Sequence, residues 1–197
     1  MKHFLHILLA AWIIPFAVAD MNQQPRRSFD DVFFAAGCVT STPQYVAASN
    51  AWMTADDEPA GYATSASSIL DTPYAAWKAF DGDTNTLWHS NTYSDPYWLQ
   101  YEFKSGMGII ATNYAIFGRH DGYLGSPTAW TFSGWSGADW VILDTQTNLS
   151  TWSSGEIRSF NFENSTSYEK YRLDMFESAD NYYMHIGEMT IRGTRLQ

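Results

Sequence analysis

The sequence predicts an all-β fold, an antiparallel β-sandwich of about eight short strands. Two observations carry this. Short apolar and aromatic runs recur at regular spacing between turn residues from Trp52 onward, and no segment sustains a 3.6-residue period. Aromatic residues make up 17% of the 197 residues and charged residues only 16%, a composition far too apolar for disorder.

Each element has its own signal. Pro59-Ala60-Gly61 marks a turn, and 62–69 after it holds small, β-compatible residues. The stretch 97–103 alternates, with Tyr97, Leu99, Tyr101 and Phe103 on one face and Trp98, Gln100 and Glu102 on the other. Residues 109–117 form an apolar run bounded by Gly108 and Gly118. Residues 129–135 and 140–143 follow, with Gly134, Gly137 and Asp139 as turn chemistry. Next come 157–162 and 168–176, where Tyr171, Leu173 and Met175 share a face, and 186–191 closes the domain. Helices are expected as single turns at most. Trp77, Trp88, Trp98, Trp130 and Trp140 are expected in the core.

The sandwich is expected over residues 48–197. Residues 1–19 read as a signal peptide: Lys2 and His3 precede an apolar run that ends Ala17-Val18-Ala19 before Asp20. Residues 20–47 lack periodicity and read as a linker or N-terminal arm. The net charge is −10, and all of the acidic excess falls from Ala48 onward, which argues against nucleic acid and against intrinsic membrane binding. Cys38 is the single cysteine, so no intrachain disulfide forms. Asn148-Leu149-Ser150 and Asn164-Ser165-Thr166 are glycosylation acceptors if the chain passes through a eukaryotic secretory pathway.

The most polar knot is Asp81-Gly82-Asp83-Thr84-Asn85-Thr86, flanked by Phe80, Leu87 and Trp88. Asp, Asn and Thr offer oxygen ligands to a hard cation. The spacing of Asp81, Asp83 and Asn85 echoes the start of the helix-loop-helix calcium loop, but Thr86 stands where that loop needs Gly, and Thr92 where it needs Glu. A cation here needs ligands from elsewhere in the chain; a metal-free Asp/Asn-rich turn is the other reading. No His-Glu-x-x-His, Gly-x-Ser-x-Gly or Gly-rich phosphate loop is present, so the sequence points away from an enzyme.

Ala76-Trp77-Lys78-Ala79-Phe80-Asp81-Gly82 with Thr86-Leu87-Trp88-His89-Ser90 resembles the opening signature of discoidin-type domains, also called coagulation-factor type C domains. That superfamily includes the family-32 carbohydrate-binding modules. Later stretches resemble it in order: Trp98-Leu99-Gln100-Tyr101-Glu102-Phe103, Pro127-Thr128-Ala129-Trp130-Thr131-Phe132, Trp140-Val141-Ile142-Leu143-Asp144, Tyr171-Arg172-Leu173 and Ile186-Gly187-Glu188-Met189-Thr190-Ile191. The resemblance spans about 50–194 and is similar in flavour to modules of bacteriophage tail and bacterial surface proteins.

The resemblance implies a jelly-roll sandwich with a structural calcium. Asp81, Asp83 and Thr86 would hold the ion with Glu188 of the last strand and backbone carbonyls near Lys78 and Glu188; the other reading pairs Glu188 with an Arg or Lys. It further implies a non-catalytic, lectin-like module for cell-surface or extracellular glycans. Its site would lie on loops at one end, with Arg119 as a planar donor, His89 and His120 as added contacts, and Tyr182, Tyr183 and Tyr123 as stacking platforms. No Asn follows soon after Arg119, which counts against a galactose preference. The expected location is secreted. The alternative is a virion decoration or tail-associated attachment protein on the virion surface, with other virion or cell-surface proteins as partners.

Overall fold

The computed structural model describes residues 43–91, 96–121, 125–179 and 182–197. The expected leader, the arm up to residue 42, Cys38 and Tyr123 lie outside the described residues.

Eleven strands are found among the described residues: β1 (Tyr45–Ser49), β2 (Ala63–Ala66), β3 (Trp88–His89), β4 (Tyr97–Glu102), β5 (Ile110–Phe117), β6 (Pro127–Trp135), β7 (Trp140–Gln146), β8 (Ile157–Asn161), β9 (Lys170–Ser178), β10 (His185–Ile186) and β11 (Glu188–Leu196). All eight expected stretches contain a strand. The three additions have a common cause. β3 and β10 are two residues long and exist only by pairing with each other. β1 is an edge strand of alternating exposure, held to β11 from Tyr45↔Leu196 to Ser49↔Arg192, so the sheet begins ahead of residue 48. Two single turns of 3-10 helix, Thr72–Tyr74 and Ala76–Ala79, precede the polar loop.

A four-stranded sheet in the order β1-β11-β5-β8 and a five-stranded sheet in the order β2-β4-β9-β6-β7 supply the core. Every strand pair is antiparallel. Alternation along β4 and β9 sends Tyr97, Leu99, Tyr101, Tyr171, Leu173 and Met175 inward, as expected.

Tyrosine hydroxyls bolt the two sheets together. Tyr114 of β5 stacks on Phe132 of β6 at 4.5 Å between ring centres. Its hydroxyl donates to Asp144 Oδ2 of β7 at 2.6 Å and accepts from Trp130 Nε1 at 2.7 Å. Tyr171 of β9 donates to the Ile109 carbonyl at 2.6 Å and accepts from the Ala111 N–H at 3.2 Å, ahead of and within β5. Burial pushes both phenols' pKa values above their ordinary range, so they remain neutral donors. Such hydroxyls are tolerated in a core because each is hydrogen-bonded.

Three of the five tryptophans expected in the core are found there. Trp88 and Trp130 are fully buried, and Trp77 packs against the core. Trp98 and Trp140 do not join it. They lie on the outer face of the five-stranded sheet, because the register that turns Leu99 and Leu143 inward turns them outward. The two glycosylation acceptors also differ. Asn164 Nδ2 donates to the Ala111 and Thr166 carbonyls at 3.0 and 2.9 Å, whereas Asn148 is exposed.

Tyr114→Phe leaves the buried Trp130 N–H without its acceptor. Urea unfolding is expected to show a loss of about 1–3 kcal/mol with an unchanged m-value.

Candidate functional site

The polar loop closes on itself through its own side chains. Asp81 Oδ1 accepts from the Asp83 N–H at 2.9 Å, and Asp83 Oδ1 accepts from the Asn85 N–H at 2.9 Å. Gly82 has a positive φ of 75°, and a Cβ there would meet the Trp52 ring at 3.0 Å, so both backbone conformation and space demand glycine. Glu188, the first residue of β11, reaches into the loop, and its Oε2 accepts from the Gly82 N–H at 3.1 Å.

Oxygen atoms converge on Thr86. Its hydroxyl lies 3.2 Å from the Lys78 carbonyl, 2.9 and 2.8 Å from the two Asp81 carboxylate oxygens, and 3.0 Å from the Asp83 carbonyl. One hydroxyl proton serves one acceptor, so the remaining oxygens face it lone pair to lone pair. Asp83 joins this cluster by its carbonyl; its carboxylate is turned away to Asn85, also accepting from Asn85 Nδ2 at 2.8 Å. Glu188 forms no ion pair among the described residues, and its Oε1 is buried without a hydrogen-bond partner. Burial, reinforced by the nearby Asp81 and Asp83 charges, pushes the Glu188 carboxyl up to about 8. Lys78 Nζ pairs with Asp81 Oδ2 at 3.3 Å. Among the described residues no three His, Cys, Asp or Glu side chains form a ready-made metal cluster. What converges instead is a carboxylate, a hydroxyl and two backbone carbonyls, with a second carboxylate beside them, an all-oxygen set suited to a hard cation.

The second cluster is built by the β3–β10 ladder, which sets His89 opposite His185. Their rings meet edge to face at 4.1 Å, and Tyr183 and Tyr74 lie 4.8 and 5.4 Å from His89. Arg119 follows the end of β5. Its Nε and Nη2 donate to the two Asp121 carboxylate oxygens, and its Nη1 donates to His185 Nε2 at 3.1 Å. A guanidinium only donates, so His185 Nε2 accepts and its proton sits on Nδ1, which is buried without a partner. Gly125 backs this ring: a Cβ there would lie 1.7 Å from His185 Nδ1.

Arg119, His120 and Asp121 line a depression of about 400 Å³ together with Tyr74, Lys78 and the polar-loop residues Asn85 and Thr86. His120 is exposed at its rim, and Tyr182 is 62% exposed. Tyr182 and Tyr183 are not among the residues lining the depression. His89 is buried, so it reaches a ligand only through the rings around it. Arg119 pairs with Asp121, and both still line the depression, so the pair orients the guanidinium rather than removing it. Two members were missed in sequence, Tyr74 and His185. Neither carries a local signal, since one sits in a 3-10 turn and the other in a two-residue strand.

Burial, with His89 and Arg119 adding positive charge against the opposing Asp121, lowers the His185 pKa from 6.5 to about 3. The unfolded chain therefore binds this proton more readily, and His185 costs the fold stability as pH falls from about 6.5 toward 3. His185→Gln is expected to flatten the decline of the melting temperature across that window; a decline as steep as the parent's places its origin elsewhere.

No family model matches the chain, and no curated protein matches it. Solved structures do. A family 32 carbohydrate-binding module from C. perfringens NanJ, in complex with galactose, superposes with a TM-score of 0.55 at 21% identity, covering 67% of this chain and 93% of that one. A chitosan-binding module from a Paenibacillus sp. IK-5 chitosanase/glucanase has a TM-score of 0.55 at 22% identity, covering 68% and 96%. An F5/8 type C domain from Bacteroides fragilis has a TM-score of 0.58 at 14% identity, covering 74% and 98%. The chain thus has the galactose-binding-like jelly-roll fold shared by family 32 carbohydrate-binding modules and discoidin-type domains.

Proposed function

We propose that the chain is a non-catalytic carbohydrate-binding module that grips cell-surface or extracellular glycans at the Arg119 depression and is braced by a structural calcium. One observation carries the reading: the depression joins a guanidinium held by Asp121 and His185 to an aromatic ring, Tyr74, beside the all-oxygen loop. A sugar offers a C–H face to a ring and adjacent hydroxyls to a planar donor and a carboxylate acceptor. The galactose complex and the chitosan-binding module among the similar structures support the ligand class.

The oxygen set fits the calcium. Asp81 and Glu188 would bind it by carboxylate, Lys78 and Asp83 by carbonyl, and Thr86 by hydroxyl. The ion would supply positive charge to a buried carboxylate that has none, and would tie the loop to β11. It binds only the folded chain, so it stabilises by mass action.

Calcium at a hundred times its dissociation constant is expected to raise the melting temperature by about 5–10 °C relative to chelator, from about 2.7 kcal/mol of linkage. Glu188→Gln keeps an acceptor for the Gly82 N–H and is expected to lose this response. An unchanged parent melting temperature in calcium and in chelator refutes the ion. On a glycan array the parent is expected to bind one sugar class, and Arg119→Ala and Tyr74→Ala to weaken that binding about tenfold or more. Silence of the folded parent across the array refutes the module reading.

A further inference from the structure

The outer face of the five-stranded sheet carries a row of aromatic and hydrogen-bonding side chains that ends at the β6–β7 hairpin. In register across the strands, Gln100 of β4 lies beside Arg172 of β9, then Ser133 of β6, then Ile142 of β7. Two pairs further along, Trp135 faces Trp140 with ring centres 5.3 Å apart. The Arg172 guanidinium lies over the Trp140 ring at 4.3 Å and within 5.8 Å of the Trp98 ring. Its Nε donates to the Asp174 carboxylate, at 2.9 Å from Oδ1 and 3.0 Å from Oδ2. Its two Nη groups meet no acceptor among the described residues, and neither does the Gln100 amide.

Two features say what this face suits. It is electrically balanced on a chain of net charge −10: Arg172 pairs with Asp174, and Lys170 with Glu102 at 3.0 Å. It also alternates ring faces with open donors and an acceptor, rather than forming a uniformly apolar patch. From β4 to β7 is three strand spacings, on the order of 14 Å, with tryptophans at both ends and the guanidinium fork between them. A charged polymer gains nothing from a neutral face. An uncharged chain of sugar rings stacks its C–H faces on the tryptophans and offers vicinal hydroxyls to the fork.

We propose that this sheet face is a second binding surface, for an extended neutral polysaccharide, separate from the Arg119 depression. It stands or falls independently of that site, because no residue is shared.

The test is affinity electrophoresis of the full chain through gels containing xyloglucan, galactomannan or laminarin, with alginate as the polyanion control. At least one neutral polysaccharide is expected to retard the parent, and alginate not to. Trp98→Ala/Trp140→Ala is expected to weaken that retardation about tenfold or more, while Arg119→Ala leaves it intact. Arg172→Lys, which keeps the charge and loses the fork, is expected to weaken it several-fold and serves as the readout should the double variant unfold. The proposal is overturned if no neutral polysaccharide retards the folded parent, or if the folded double variant is retarded like the parent. It is equally overturned if Arg119→Ala alone abolishes retardation, or if sedimentation shows a self-associated parent that the double variant turns into monomer, which would make the face an interface between copies of the chain.

Discussion

The hydrogen bond from the Gly82 N–H to the Glu188 carboxylate joins residues 106 positions apart, and much of the molecule is arranged around it. Glu188 opens β11, the strand that pairs with both β1 and β5. Whatever holds Glu188 therefore holds the four-stranded sheet to the polar loop. The loop in turn is tight only because Gly82 takes a left-handed turn beneath Trp52. Burying a carboxylate with one satisfied and one orphaned oxygen is costly. The raised affinity of Glu188 for a proton expresses that cost, and a bound cation would offset it.

The same end of the sandwich carries the Arg119 depression, and the two are mechanically linked. Asn85 and Thr86 of the loop line the depression's wall. Trp88 and His89 leave the loop directly into the β3–β10 ladder, which sets His89 against His185, and His185 accepts from Arg119. The chain into β3, the His89–His185 contact and the His185–Arg119 hydrogen bond thus connect the loop to the guanidinium. The donor's orientation depends on the packing of buried rings rather than on solvent-exposed pairing alone.

The sheets show two distinct uses of aromatic residues. Inward, Tyr114 and Tyr171 combine ring stacking with fully used hydroxyls, which fixes the sheets' relative register better than apolar contact would. Outward, Trp98 and Trp140 flank Arg172 and Trp135 packs against Trp140, so a cation–π stack replaces core packing. One strand, β4, contributes to both through its period of two.

Periodicity and turn residues were enough to read the eight main strands, the inward faces of β4 and β9, and the Asp81–Thr86 loop, because each of these is written in residues close together in the chain. The ordered motifs pointed to the jelly-roll fold for the same reason. What the tertiary structure alone decided were relations between distant residues. β1, β3 and β10 exist by pairing, so their local sequence carries no strand signal. Trp98 and Trp140 are as apolar as Trp130, and only the register of their strands turns them to solvent. Asp83 offers a carboxylate in sequence but a carbonyl in space, since its side chain is taken by Asn85. Tyr74 and His185 lie 111 positions apart and share a site because the sandwich folds its first turns against its last strands.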